Sequence, residues 1–424
     1  MPIYKTLSGF LASSALAVAL VTGQSHAADL AVEQQSEFYR AMYSDATMTL
    51  HFRTYLFDRT DTGGSDPAAW AAGGWIGYES DWIGDALKFG AVGYTSLKLW
   101  GPEDRDGSKL LLPGQESYGV LGQAYAALKF EDQVMTFYRQ LVNQPEVNPQ
   151  DSRMTPNTFE AISLKGDLGE VSYYAGFLAN MKKRDSDEFV NMAEAAGVTS
   201  EDSNMWLGGL EFNPVENLKL RTSLYVVPDL LASSYSDAVW TTPIQDDVDL
   251  RLSGQFMYQG GVGSDLLMDC NCNTWVGGAK GDVIFGGFTL TGGYTQTSEE
   301  FNWQAPYGTW PGYTSMQVKD FDRAGEKAVL AGVAYDFAGL GAKGLTFSSL
   351  AAWDVGDNNG GPNWDEYDFD LQYRLNALEG DWQWLAPLSL RGRYGYVDVG
   401  GGDSNIDEFR VIVNYEVQFK GKDL

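Results

Sequence analysis

The sequence predicts an all-β fold, a transmembrane antiparallel β-barrel of about 18 strands. Three observations predict it. Strand-like runs alternate with turn clusters along the whole chain, with no long helical period and no dividing linker. The runs are long, about 10–14 residues against a usual strand of about 5–6, and a tilted strand needs roughly 9–11 to cross a bilayer. Their polar faces carry charge, and aromatics gather at the ends of apolar faces, as in Tyr394-Tyr396 and Trp382-Trp384, like interfacial girdles. Composition agrees: 13 Trp, 23 Tyr, 21 Phe and 49 Gly against 14 Pro describe a β chain with many tight bends.

The first residues read as an export signal. Lys5 supplies a short positive region, Leu7 to Val21 is mostly apolar and small, and Ser25-His26-Ala27 places small residues where a signal peptidase cuts. Cleavage is expected after Ala27. The apolar run is too short for a membrane anchor, and polar Gly23-Gln24-Ser25 follows it. A periplasmic segment (28–46), the barrel (47–419) and a short tail (420–424) are expected to follow. Beyond the signal no stretch approaches the ~18–20 apolar residues of a membrane helix.

The elements follow from period-two alternation. In the first strand Met48, Leu50, Phe52 and Leu56 share one face, and Thr49, His51, Arg53 and Arg59 the other. Near 218, Leu218, Leu220, Leu224 and Val226 oppose Lys219, Arg221, Ser223 and Tyr225. Near 248, Val248, Leu250, Leu252, Phe256 and Tyr258 oppose Asp249, Arg251, Ser253 and Gln255. Further on, Tyr367, Phe369, Leu371, Tyr373 and Leu375 oppose Glu366, Asp368, Asp370, Gln372 and Arg374. In "LSLRGRYGYVDV" Leu388, Leu390, Tyr394 and Tyr396 oppose Ser389, Arg391 and Arg393. Phe409, Val411, Val413, Tyr415, Val417 and Phe419 of the last strand oppose Arg410, Asn414, Glu416 and Gln418.

Strand starts are expected near 47, 68, 86, 117, 133, 157, 170, 204, 217, 235, 246, 273, 287, 326, 344, 365, 387 and 407. Short connections carry Gly, Asn or Asp, as in 166–170 and 285–287; longer ones (143–156, 184–203, 261–272, 300–325) read as external loops. Alternation alone fits a secreted β-sandwich as well as a barrel. Closure removes the sheet edges and satisfies every backbone group, as a bilayer demands.

Several functions are disfavoured. A formal net charge of −28 lacks the basic footprint of a nucleic-acid binder. Cys270 and Cys272 fit a small disulfide staple or two free thiols better than a metal site, since His51 is the only histidine after Ala27. No G-x-S-x-G elbow or second mature histidine supports a hydrolytic triad. The chain is expected to be neither an enzyme nor the holder of a cofactor.

The charged faces point to transport. Arg391, Arg393 and Arg410 lie on the polar faces of two sequential strands, which pair as neighbours. Arg53 and Arg59 lie on the first strand, which closure pairs with the last. A column of guanidiniums then offers forked donors to a carboxylate at successive depths, binding firmly enough to admit it and weakly enough to release it. The competing reading is structural pairing of these arginines with Glu366, Asp368, Asp370 and Glu416. Tyr and Trp on the apolar faces are expected to anchor in the bilayer.

Several ordered blocks carry a family resemblance: "LHFRTYLFDR" (50–59), "YESDW" (78–82), "VGYTSLKL" (92–99), "SRMTPNTFEAISLKGDL" (152–168), "DFDRAGEKAVLAGVAYDF" (320–337), "GLTF" (344–347), "LSLRGRYGYVDV" (388–399) and "DEFRVIVNYEVQF" (407–419). With these the chain resembles the OprD family of outer-membrane, substrate-specific channels. The resemblance implies an 18-stranded barrel, often a loose trimer, with one loop folded inward as a constriction. It implies a ladder of basic residues down one lumen wall, matched here by Arg59, Arg153, Arg391, Arg393 and Arg410, with Asp320 at a matching acidic position. Only the resemblance brings Arg153 and its loop into the pore. Pro67 stands where some relatives have a ladder arginine. Phe419 is the expected assembly signal, followed by a short tail.

Small-molecule solutes are the expected partners, with outer-membrane lipid, lipopolysaccharide and the barrel-assembly machinery. Carboxylate-bearing nutrients are the leading expectation for the solute, amino acids and small aromatic or aliphatic acids among them. A chitoporin-like channel for amino-sugar oligosaccharides is the alternative, because "GEKAV" resembles that branch.

Overall fold

A computed structural model describes residues 36–268, 272–356, 361–378, 380–400 and 405–423. The expected signal and its cleavage site lie outside these residues. So does Cys270, whereas Cys272 is disulfide-bonded.

One antiparallel sheet closes on itself. In chain order its strands are β1 (Thr47–Asp61), β2 (Ala68–Glu79), β3 (Leu87–Trp100), β4 (Tyr118–Phe130), β5 (Gln133–Gln140), β6 (Thr158–Leu168), β7 (Val171–Lys182), β8 (Val190–Asn191), β9 (Met205–Val215), β10 (Leu218–Val227), β11 (Leu231–Gln245), β12 (Val248–Gly261), β13 (Asn273–Phe285), β14 (Phe288–Thr297), β15 (Lys327–Asp336), β16 (Leu345–Asp354), β17 (Trp364–Arg374), β18 (Leu388–Val399) and β19 (Asn405–Lys420). Eighteen of them make the wall. The two-residue β8 only touches the end of β7, which pairs onward with β9. β1 pairs with both β2 and β19, so the barrel has no free edge. A soluble sandwich is thereby ruled out.

The alternation works as expected. Leu50 and Phe52 point outward at 40 % and 49 % exposure, whereas Arg53, one residue on, is 7 % exposed and faces inward. Outward Leu and Phe need only lipid for solvent; an outward arginine at mid-membrane costs about 2–4 kcal/mol. One correction concerns β11, which starts at Leu231, not near 235, because residues 228–230 form a tight connection.

The two ends of the barrel differ. Five connections at the end holding both strand termini are two residues long: 131–132, 169–170, 216–217, 246–247 and 286–287. Gly286 and Gly287 have φ of 52° and 85°, the left-handed pair that a two-residue hairpin requires. The four longest connections, 101–117, 141–157, 183–204 and 298–326, lie at the opposite end.

Two of these, 183–204 and 298–326, were expected outside the barrel and instead pack within its mouth. Trp303, Tyr307, Trp310 and Phe321 are buried there. Tyr307 Oη donates to the carbonyl of Met192 at 3.0 Å, joining 298–326 to 183–204. Asn148 ties 141–157 to the same loop: its Oδ1 accepts from the N–H of Thr309 at 2.9 Å. The aromatic residues of 298–326 have no strand period, so the sequence reads as a surface loop although it buries like a core. Trp382 and Trp384 also depart from expectation. They sit on a single helical stretch, Gly380–Leu385, in the connection between β17 and β18, each 62 % exposed.

Candidate functional site

Strand register builds the site. Across β17, β18, β19 and β1 the partners fall in rows: Asp368–Gly395–Glu408–Arg59, then Asp370–Arg393–Arg410–Phe57, then Gln372–Arg391–Ile412–Tyr55, then Arg374–Ser389–Asn414–Arg53. Rows are two residues apart, about 7 Å along a strand. Closure therefore stacks Arg59, Arg410 with Arg393, Arg391 and Arg53 at four successive depths.

Carboxylates hold most of them. Glu408, wholly buried, accepts from Arg59 Nε at 2.7 Å and from Arg410 Nε at 2.6 Å. Asp370 accepts from Arg391 Nε at 2.9 Å. It also lies 2.8 Å from Arg393 Nε as an ion pair, without the alignment of a hydrogen bond. Glu366 and Asp368 have another task. They accept the backbone N–H groups of Val318, Lys319 and Gln317 at 2.7, 2.7 and 2.8 Å, pinning loop 298–326 to the wall. Glu416 bonds His51 at 2.8 Å.

Arg53 is a staple. Its guanidinium bonds Asn414 Oδ1 at 2.7 Å, both oxygens of Asp151 at 2.6 and 3.1 Å, and the carbonyl of Arg153 at 2.6 Å. It lies 5.3 Å from the centre of the Trp75 ring, which stacks on His51 at 3.6 Å. So β1 holds loop 141–157 inside the barrel through this side chain.

The loops and this wall enclose a cavity of about 420 Å³. Arg59, Arg393 and Arg410 line it from the wall, and Lys109, Arg153 and Arg184 from loops. Asp320, Ser315 and Gln317 line it from loop 298–326. Asp320 Oδ1 accepts from Ser315 Oγ at 2.5 Å. Arg391 and Arg53 do not line it. Phe57, buried in the same wall, has Arg59, Arg153 and Arg410 at 5.7, 5.1 and 5.7 Å from its ring centre, a cation–π environment that keeps the guanidinium planes oriented.

Burial, reinforced by Arg410, pushes the Arg153 guanidinium down to about 9, so it stays charged at neutral pH. Burial and then Arg184 lower Lys109. Burial lowers Arg184, opposed by nearby Asp185. Burial raises Asp320 and, with Asp320 beside it, pushes Asp322 up to about 7. Six cationic side chains and one carboxylate thus line the cavity. Among the described residues no cluster of His, Cys, Asp and Glu could hold a metal ion, and no helix is long and apolar enough to cross a membrane.

Sequence reasoning missed Glu408, Lys109, Arg184 and the inward aromatics Tyr55 and Phe57. Glu408 was findable, since it shares the face of Arg410 two residues away. Lys109 and Arg184 are loop residues with no period to mark them.

The profile of outer membrane porins of the OprD family matches residues 41–419. The chain belongs to the OprD family of outer-membrane porins. It is 26 % identical to Porin D of Pseudomonas aeruginosa, over 95 % of this chain and 97 % of that protein. Crystal structures share the fold. OccK9 (OpdG) of P. aeruginosa has a TM-score of 0.80 at 22 % identity, covering 89 % of this chain and all of that one. OpdK of P. aeruginosa, solved with vanillate, gives 0.78 at 19 % identity over 89 % of this chain and all of its own. OccAB3 of Acinetobacter baumannii gives 0.80 at 18 % identity over 88 % and 100 %. The protein is an outer-membrane porin that passes small solutes. Barrels of this kind turn their short connections to the periplasm.

Proposed function

We propose that this porin passes small carboxylate-bearing nutrients, amino acids and small aromatic or aliphatic acids among them, along its basic wall. The observation that carries the reading is the single cavity in which Arg59, Arg153, Arg184, Arg393, Arg410 and Lys109 meet one carboxylate, Asp320. Guanidiniums bind carboxylates through forked donors, and several at successive depths let an anion exchange partners without full dehydration. Arg391, one row deeper, extends the path toward the periplasm. Arg53 supports it by holding loop 141–157. Asp320 accepts an amino group where the solute has one. OpdK, solved with vanillate, supports an acid as solute.

We infer as well that residues 1–27 are removed on export, that Phe419 is read by the barrel-assembly machinery, and that the barrel sits among lipopolysaccharide and lipid as a loose trimer.

Swelling of proteoliposomes tests the substrate reading. Uptake of benzoate and of a zwitterionic amino acid is expected to exceed that of a neutral amino-sugar trimer severalfold. Preferred uptake of chitotriose would overturn the reading in favour of the oligosaccharide channel.

A further inference from the structure

Residues 36–44 form a short helix just before β1. It ends in a wider, π-type turn over Arg40–Ser44, where the Asp45 N–H donates to the Arg40 carbonyl at 2.7 Å. The helix sits at the barrel end with the short turns and is tied down along its length. The Asp81 N–H donates to the Ala41 carbonyl at 2.8 Å, and the Gly84 N–H to Glu37 Oε1 at 3.0 Å. Just after the helix, the Gly421 N–H donates to the Ala46 carbonyl at 2.9 Å, and Lys420 Nζ to the Asp45 carbonyl at 3.0 Å. The segment is thus fastened to the β2–β3 connection and to the end of β19, the strand that closes the barrel on β1.

It is fastened on the outer side of the wall. Tyr78 pairs with Met48 and Met48 with Phe419, in phase with outward Leu50 and Phe52. Tyr78 Oη donates to the Met42 carbonyl at 2.6 Å. The helix therefore rests where the lipid-facing surface of the wall ends. Its own faces are divided. Ala41 is buried, whereas Phe38, Tyr39 and Tyr43 are 49 %, 59 % and 60 % exposed. Tyr39 and Tyr43, one turn apart, stack at 5.0 Å. Arg40 is exposed beside them and has no ion pair among the described residues. A cluster of large aromatic side chains turned away from the protein marks an interaction surface.

We propose that residues 36–44 are an interfacial helix docked on the inner leaflet of the outer membrane. Phe38, Tyr39 and Tyr43 enter the boundary between headgroups and acyl chains, and Arg40 meets phospholipid phosphate. Phospholipid is the occupant because the exposed aromatics continue the outward row of Tyr78, Met48 and Phe419, which already faces lipid. Aromatic rings settle at that depth, and a cation beside them is drawn to anionic headgroups. Three rings and one arginine would hold a free peptide weakly, since such binding scales with the apolar area buried. Here the bonds to the barrel already hold the helix at the surface, so its membrane contact is intramolecular in effect. Gripped by lipid on one side and by the barrel on the other, the segment clasps the seam between β1 and β19.

The test is a nitroxide spin label on Tyr39→Cys in the full-length protein, reconstituted in phosphatidylcholine vesicles with phosphatidylglycerol. Its accessibility to oxygen, which concentrates in lipid, is compared with that to a water-soluble nickel chelate. The same label on Glu131→Cys, in the two-residue turn 131–132, is the aqueous reference. Stepwise conductance shows that each form has assembled. The oxygen-to-nickel ratio at position 39 is expected to be severalfold that at position 131. It is expected to fall toward the reference when Phe38→Ser and Tyr43→Ser are added, which separates the helix from any preference of the label itself. A ratio equal to the reference in the protein without those two changes would place the helix in water and overturn the proposal. A label shielded from both reagents would mean that protein, such as a second copy of the chain, covers the face, and would overturn it as well. A ratio unmoved by Phe38→Ser with Tyr43→Ser would also overturn it, because the rings would then not be what holds the helix in lipid.

Discussion

Arg393 and Arg410 face each other directly across the β18–β19 ladder. Like charges in that position repel. The barrel tolerates them because Asp370 flanks Arg393 on β17 and Glu408 sits beside Arg410 on β19. The basic wall is therefore built as two cation–carboxylate–cation sets, and the stability of the wall and its charge are the same problem.

Removing one of these carboxylates separates the two. Glu408→Gln leaves Arg59 and Arg410 without a counter-ion in a buried place, which costs roughly 3–5 kcal/mol. The variant is expected to unfold at lower temperature and to be more anion-selective. Thermal unfolding in detergent and the zero-current potential across a KCl gradient measure both. A more stable, less anion-selective variant would contradict the pairing.

Arg53 is expected to behave as a support for the constriction. Its four bonds to Asn414, Asp151 and Arg153 hold loop 141–157 against β1. A hydrogen bond to a charged group contributes about 1.5–3 kcal/mol, so Arg53→Ala frees the loop without dismantling the wall. Single-channel records of Arg53→Ala are expected to have higher conductance and more open-state noise. Unchanged conductance with weaker anion block would instead make Arg53 part of the binding path.

Glu366 and Asp368 clamp the other loop. With Glu366→Ala the N–H groups of Val318 and Lys319 lose their acceptors, and the 298–326 loop is expected to become cleavable by a protease added from outside. Cleavage at an unchanged rate would mean that the buried aromatics alone hold it.

Loop packing is expected to weaken as pH rises through neutrality. Glu146, on loop 141–157, is buried with one oxygen accepting from Ser233 Oγ at 2.6 Å and the other without a partner among the described residues. Val142, Val147, Tyr225 and Tyr307 belong to the apolar cluster at this joint of the loops, and among the described residues no cation faces the carboxyl. Burial pushes its pKa up to about 7, with the Ser233 bond opposing. A folded pKa above the unfolded one gives stability that is complete below the unfolded pKa, near 4.5, and lost as pH rises through about 7. A shift of this size corresponds to about 3 kcal/mol. Hydrogen exchange in 141–157 is expected to speed up, beyond the intrinsic pH effect, between pH 5 and 8 in wild type and not in Glu146→Gln.

Much of this was legible in the sequence. Alternation in β1, β18 and β19 placed Arg53, Arg59, Arg391, Arg393 and Arg410 on one face, because a bilayer outside and water inside enforce a strict period of two. The same rule says nothing about loops. Trp303, Tyr307 and Trp310 pack inward because three loops meet in the mouth, and that meeting is set by tertiary contact alone. Lys109 and Arg184 were missed for that reason. The strand carboxylates were seen as partners for arginines, but which of them pair and which hold loop 298–326 depends on register, and periodicity does not fix register between strands.

The most direct measurement is single-channel recording of the refolded protein in a planar bilayer, with benzoate, arginine and chitotriose added in turn. The account predicts discrete conductance steps and a concentration-dependent block by benzoate, with chitotriose inert. Block by chitotriose alone, with carboxylates inert, would contradict a carboxylate passage and leave the arginines as structural partners of Glu408 and Asp370.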